Sequence, residues 1–339
     1  MNYLRWPALA LALVSGAASA GHFTFKDWEV ACDNTRRCEA VGYQAESGEQ
    51  NLPVLLWLRR DAGAAAPVSA RISVQSEDDG AAGPLTVQVG AATVRGLHVD
   101  DLLAPEQVAK LLPLLLNADT AKVSDRKHTW TLSLAGIKAA LLKIDDVQGR
   151  VGTSTALALR GARPAAAVLP PLAPPDVRPL PAVATREGDD RLLPLIVKNL
   201  KHGGCEDAFE TGYGEPNNEI HRLSATQVLL VLECGRGAYQ SSYQVWTAND
   251  QPPYAARPVK LPDVDGGEGY VMNPSFQNGQ LSSFGKGRGI SDCNTHARWA
   301  WTASGFALIE AASGRLCRGF PGGYPLRDYT ATVIPPAVK

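Results

Sequence analysis

The chain has 339 residues, 45% of them hydrophobic, with 33 Lys+Arg against 34 Asp+Glu and a formal charge of −1. A near-zero balance excludes bulk electrostatic attraction to nucleic acid, and the length provides for two domains of ordinary size.

The first twenty residues read as an export leader. Arg5 supplies the positive end, residues 7–14 form a short apolar run, and Ala18-Ser19-Ala20 is a small-x-small cleavage signal that would leave Gly21 first. The run is too short for a stable membrane anchor. No cysteine follows the cut and no later stretch has spanning length, so no transmembrane anchor is expected after cleavage. Export to the periplasm or beyond changes how Cys32, Cys38, Cys205, Cys234, Cys293 and Cys317 are read. An even number in an oxidising compartment favours disulfides over metal or thiol chemistry. Pairing of sequence neighbours gives Cys32–Cys38, Cys205–Cys234 and Cys293–Cys317.

Residues 21–160 are expected to form a β-rich, sandwich-like domain. Trp28, Val30 and Cys32 alternate with other residues as a half-buried strand, and the polar turn 33–37 returns the chain through 38–44. Further strands are expected over 54–58, 71–75, 85–89 and 129–134, with turns at Glu77-Asp78-Asp79-Gly80 and Gly83-Pro84. Pro105 to Leu112 reads as a helix that Pro113 kinks or ends, since proline removes a donor and clashes with the preceding turn. A second helix carries Ile137, Leu141 and Ile144 on one face.

The segments Trp28-Glu29-Val30-Ala31-Cys32 and Leu134-Ala135-Gly136-Ile137-Lys138-Ala139-Ala140-Leu141 resemble the invasion-associated locus B family of exported bacterial proteins, over roughly residues 22–160. That resemblance implies a periplasmic β-sandwich-like domain without known chemistry.

Seven prolines fall between Pro164 and Pro181, so residues 161–188 read as a semi-rigid, polyproline-like spacer with few contacts across it. Residues 189–339 are expected to be a second, disulfide-stapled, antiparallel β-domain. A short helix over 192–200 is interrupted by Pro194. Gln227 to Cys234 is a continuous apolar run, fitting a central strand buried on both faces, and 239–247 follows it. Asn278-Gly279 marks a hairpin. Trp299 and Trp301 share one strand face, 302–305 is a tight turn, and Phe306 to Ala312 returns. The tryptophans are core residues or, alternatively, an exposed platform for a sugar or peptide. Cys234-Gly235-Arg236-Gly237, Gly287-Arg288-Gly289 with Asp292-Cys293, Trp299-Ala300-Trp301 and Cys317-Arg318-Gly319 together resemble a bacterial family of exported proteins without established function. That likeness covers the whole chain after the leader and brings no catalytic residue with it.

Chemistry is sparsely marked. His-Glu-x-x-His and Gly-x-Ser-x-Gly are absent, and the six histidines are scattered. Cys205 near His202 would be a nucleophile only if its sulfur were free. Asp263, Asp265 and Glu268 could approach calcium, but the twelve-residue loop pattern is incomplete, and no cofactor is expected. Ten acids against four Lys/Arg over 205–268 give −6, whereas seven Lys/Arg against three acids over 285–339 give +4. Lys286, Arg288, Arg298, Arg315, Arg318 and Arg327 are therefore the candidate site for an anionic partner, since guanidinium forks bind carboxylate or phosphate bidentately. The alternative is that Arg288 and Arg318 pair with Asp292 and other acids inside the fold. The expected function is non-catalytic binding of an envelope polymer, lipid head group or protein. Inhibition of an attacking hydrolase such as a lysozyme, or an unrecognised hydrolase, are the other classes.

Overall fold

The computed structural model describes residues 21–46, 52–76, 83–198, 200, 205, 216–263 and 269–336. The leader with its cleavage site, the turn at 77–80, and Asp265 and Glu268 of the calcium candidate lie outside them.

The chain is mainly β. Strands β1 (Gly21–Phe25), β2 (Trp28–Cys32), β3 (Cys38–Tyr43), β4 (Val54–Arg60) and β5 (Val68–Val74) form an antiparallel meander in sequence order. A second sheet holds β6 (Leu85–Val89), β7 (Ala92–Leu97), β8 (Thr120–Ser124) and β9 (Thr129–Ser133) in the order β7-β6-β8-β9. Helix α1 (Pro105–Leu115) precedes β8, and α2 (Ile137–Val147) follows β9. Trp28, Val30, Leu56, Ile72, Val87, Trp130, Leu115 and Leu141 belong to one core shared by both sheets and both helices. Gly42 admits the Trp28 indole, because a Cβ there would lie 2.1 Å from Cε2. Helix α1 runs through Pro113 instead of stopping before it. Proline in the last turn interrupts little, since few residues remain to be bonded beyond it.

Strand β2 is not half-buried as its alternation predicts. All five of its residues are buried. Its second face carries Glu29 and Ala31, and Ala31 joins Val41, Tyr43, Leu55 and Trp57 in a separate core with Phe320 and Leu326 from the C-terminal half. A sequence pattern reports which residues are apolar, not which face a distant segment will cover.

The proline-rich segment is not a free spacer. Leu169 N–H donates to Gln148 O at 3.0 Å and Leu172 N–H to Thr35 O at 3.2 Å, on the N-terminal half. Leu180 N–H then donates to Trp301 O at 2.8 Å. Between them the short strand β10 (Asp176–Val177) pairs in parallel with the C-terminal strand β21 (Thr332–Val333). Val177 is buried against Ala300 and Ile309. The segment is thus a strap laid over both halves, its backbone groups satisfied by neighbours instead of water.

In the C-terminal half, α3 (Leu192–Val197) packs on a sheet of β11 (Glu219–Arg222), β12 (Gln227–Arg236), β13 (Ser241–Asn249), β14 (Arg257–Pro258) and β15 (Tyr270–Met272). Strand β12 is central and buried on both faces: Val228, Leu230 and Leu232 meet Ile196 of α3, while Leu229 and Val231 meet Trp299 and Leu308. The last sheet is an antiparallel meander of β16 (Ser275–Gln277), β17 (Gln280–Lys286), β18 (Asn294–Thr302), β19 (Gly305–Gly314) and β20 (Leu326–Thr330). Asn278 and Gly279 both have positive φ, 51° and 75°, the turn that their sequence predicts. Trp299 and Trp301 pack in the apolar core with Phe306, so they are core residues and not a platform.

All three neighbour disulfides are present, and no cysteine among the described residues is free, which removes Cys205 as a nucleophile. Cys293–Cys317 spans the open end of the β18–β19 hairpin, a sequence separation of 24. Cys293→Ser should lower stability by about 3 kcal/mol by releasing that loop in the unfolded chain. Equal denaturation midpoints for parent and variant under oxidising conditions would contradict this.

Candidate functional site

The two halves meet along β1–β3 on one side and β19–β20 on the other. Side chains of the first sheet cap the edge of β20. Asn34 Nδ2 donates to Thr330 O at 2.9 Å, its Oδ1 accepts from Thr330 N–H at 3.0 Å, and Glu39 accepts from Arg327 N–H at 2.9 Å. This satisfies a strand edge that would otherwise be open for pairing.

At one end of the seam lies a buried polar cluster. His22 on β1 has Nε2 3.0 Å from Glu29 Oε2 and Nδ1 2.9 Å from Asp328 Oδ1. Glu29, fully buried, also accepts from Arg315 N–H at 2.8 Å and from Tyr43 Oη at 3.3 Å. Ser313 Oγ lies 3.0 Å from His22 Nδ1 and donates to Asp328 Oδ2 at 2.6 Å. Serine, histidine and carboxylate thus come together as in a hydrolase triad, but the chemistry differs. Burial works against charge on His22, yet the hydrogen bonds and charges of Asp328 and Glu29 outweigh it and raise its pKa. A carboxylate oxygen faces each ring nitrogen, and a ring that donates from both has no lone pair with which to take a serine proton. The serine proton points to Asp328. The cluster is a clasp between the halves, not a nucleophile and its base. Burial and the Glu29 charge also push the Tyr43 phenol well above its ordinary range.

Between the halves the surface opens into a cleft of about 900 Å³. The N-terminal half supplies Arg37, Glu39 and Trp57, and the C-terminal half supplies Phe284, His296, Arg298, Glu310, Tyr324 and Arg327. Its rings come in two pairs. Trp57 and Tyr324 have centroids 5.8 Å apart, and Phe284 and His296 are 4.6 Å apart. Trp57 is only 6% exposed, and its Nε1 has no hydrogen-bond partner. Burial lowers the pKa of His296, partly offset by Glu310, so the ring is neutral at neutral pH. Burial raises the pKa of Tyr324, with Arg71 opposing.

The six candidate basic residues do not form one ridge. Arg298 and Arg327 come together in the cleft. Arg298 pairs with Glu310 at 3.3 Å with both side chains half-exposed, and Arg327 Nε donates to buried Asp33 at 2.6 Å. Arg288 and Arg318 meet at a smaller pocket of about 280 Å³ beside Cys317. There Arg288 donates to Asp292 at 2.7 Å, while Arg318, buried, lies 2.9 Å from Asp27 and 3.2 Å from Glu46. Burial opposes the Asp292 charge, but Arg288 and the Gly319 N–H outweigh it and hold its carboxyl below the usual range. Lys286 Nζ sits 5.9 Å from the centre of the Phe284 ring, and Arg315 is exposed at the end of the clasp. The fold therefore uses Arg288, Arg318 and Arg327 in ion pairs, the alternative considered for the first two. Of the three calcium candidates only Asp263 lies among the described residues. The one described group with metal-ligand spacing, Asp292 with Cys293 and Cys317, is committed to a disulfide and an ion pair.

Sequence reading missed Trp57, Tyr324, Phe284 and His296, because their spacing in the chain carries no signal of convergence.

Fold and cleft define a two-lobed β-protein, stapled by disulfides, with an aromatic and charged groove at the junction of its lobes. The chain belongs to the family described as "Protein of unknown function (DUF1176)", whose model matches residues 22–333. It is 30% identical over 329 residues to "Uncharacterized protein YpfG" of Escherichia coli (strain K12), covering 90% of this chain and 91% of that one. No solved structure matches. The family model spans both halves, and the expected likeness of residues 22–160 to the invasion-associated locus B family is not shown.

Proposed function

We propose that this is a non-catalytic, exported protein of the periplasm that holds an anionic component of the cell envelope in the cleft between its halves. The cleft carries the reading. Its volume is in the range of small-molecule sites, and it joins apolar rings to a few convergent polar groups. The leader-like first twenty residues, the disulfides and the exported-family resemblance support the compartment. No helix among the described residues is long and apolar enough to cross a membrane. The clasp chemistry described above weighs against hydrolysis at the Ser313–His22 contact.

Of the arginines that line the cleft, Arg298 has the most exposed ion pair, both partners being half in solvent, and it also donates to Gln280 at 3.1 Å. Arg298→Ala should leave the melting temperature within about 1 °C, since exposed pairs contribute little. It should weaken binding to a solubilised envelope fraction by about tenfold at low salt, one charge-assisted contact's worth. Parent binding should also fall as salt rises. Equal binding by parent and variant removes the cleft as the site. Stoichiometric loss of lysozyme activity, unchanged in Arg298→Ala, would move the function to an inhibitor acting through another surface.

A further inference from the structure

The lining of the cleft is specific enough to name a ligand class. Both ring pairs border the same space, with Trp57 from the N-terminal half and Tyr324, Phe284 and His296 from the C-terminal half. A flat ring binds a surface that is itself flat and apolar, and it does so beyond simple burial. Around the rings stand planar polar side chains of both signs: Arg37 with Glu39, Arg298 with Glu310, and Arg327 beside them. Hydroxyls both donate and accept, and are served best by such mixed donor and acceptor forks. A phosphate or sulfate alone would have no use for the carboxylates beside these arginines.

One buried group lacks the partner its position calls for, and one exposed ring is open to a ligand. The Trp57 indole N–H is buried in the wall with no acceptor, an arrangement that is costly unless something supplies one. The His296 imidazole, neutral and in ring contact with Phe284, makes no hydrogen bond among the described residues. It offers one donor and one acceptor to the cleft.

We propose that the cleft takes a saccharide bearing a carboxylate. One or two sugar rings lie against the Phe284–His296 and Trp57–Tyr324 pairs. Hydroxyls reach His296 and the arginine–carboxylate pairs at the rim. The carboxylate displaces Glu310 from Arg298, and Glu310 then accepts from a sugar hydroxyl. This rests on the cleft being the binding site.

The test uses the exported, disulfide-bonded protein and titration calorimetry with four probes. Two carry a carboxylate, the N-acetylglucosamine–N-acetylmuramic acid disaccharide and digalacturonic acid. Chitobiose supplies the same kind of ring without the acid, and phosphatidylglycerol vesicles supply an anion without the sugar. At least one acidic saccharide should bind tenfold or more tighter than chitobiose. Arg298→Gln should abolish that preference, and His296→Ala should weaken both acidic and neutral sugars several-fold. Both positions are exposed, so folding should survive, and unchanged melting curves would establish it. Equal binding of acidic and neutral sugars overturns the carboxylate assignment. Arg298-dependent binding of the vesicles, with no sugar bound, overturns the saccharide class and leaves the cleft as an anion site. Arg298-dependent binding of the envelope fraction with none of the four probes bound has the same effect. If neither the probes nor the envelope fraction bind, both this proposal and the function it rests on fall.

Discussion

Glu29→Ala is expected to destabilise the protein by roughly 3–5 kcal/mol at neutral pH, the range for removing one partner of a buried ion pair. Glu29 is fully buried and accepts from His22, Tyr43 and the Arg315 N–H. Its removal leaves three donors at the seam, His22 Nε2, the Tyr43 hydroxyl and the Arg315 N–H, without this acceptor. Glu29→Gln keeps an acceptor of similar shape and should cost less. Chemical denaturation at pH 6.5 measures both, and an alanine variant within about 0.5 kcal/mol of the parent, the scale of a neutral surface change, would contradict this account.

The same cluster sets a pH dependence. His22 has a pKa raised above 6.5 in the folded protein by Asp328 and Glu29, against the effect of burial. The folded state then binds the proton more tightly than the unfolded one, so the clasp's contribution is complete below pH 6.5. It is lost as pH rises through the raised folded value. The stability gap between parent and His22→Gln should narrow towards alkaline pH. A gap that widens there would mean that His22 is held neutral.

Arg222→Ala should cost a similar ~3–5 kcal/mol for the same physical reason in a different place. Arg222 lies almost wholly buried on β11, donating to Asp189 at 3.0 Å and to Asp250 at 2.7 Å. The arginine's hydrogen bonds hold the Asp189 carboxyl below its usual range, against burial. Asp189 sits just before α3, so this triad fixes the start of the helix that covers Val228, Leu230 and Leu232. The variant leaves two carboxylates facing each other in the core. Because a depressed carboxylate stabilises above its unfolded pKa, the parent should lose this contribution only as pH falls below about 4. The variant should instead gain relative to the parent as acid neutralises the stranded pair. An urea midpoint unaffected by Arg222→Ala would show that water or the backbone takes over the arginine's role.

Trp57 and Arg318 show why the site was harder to read than the fold. Trp57 stands in an ordinary apolar strand, Val54–Arg60, and nothing near it in sequence differs from core. Its role at the cleft comes from Tyr324, more than 250 positions away. Arg318 looked available because it follows a cysteine in a basic stretch, but Asp27 and Glu46 reach it from the other half. Net charge over a segment counts residues and says nothing of which opposite charges will be folded against them.

Local rules held wherever the deciding forces act within a few residues. Alternation placed Trp299 and Trp301 together, the apolar run at Gln227–Cys234 placed β12 at the centre of its sheet, Asn278-Gly279 made the turn its backbone freedom permits, and neighbouring cysteines paired. The sequence by itself thereby determined the β-rich class, the disulfides and the core of each half. Only the tertiary structure decided that the second face of β2 is buried, that the proline-rich segment is a strap, that His22 is clasped by Glu29 and Asp328, and that four aromatic rings border one cleft. Each of these depends on contacts between segments more than a hundred residues apart. Such contacts are set by the packing of whole sheets, a property of the assembled core that no local pattern encodes.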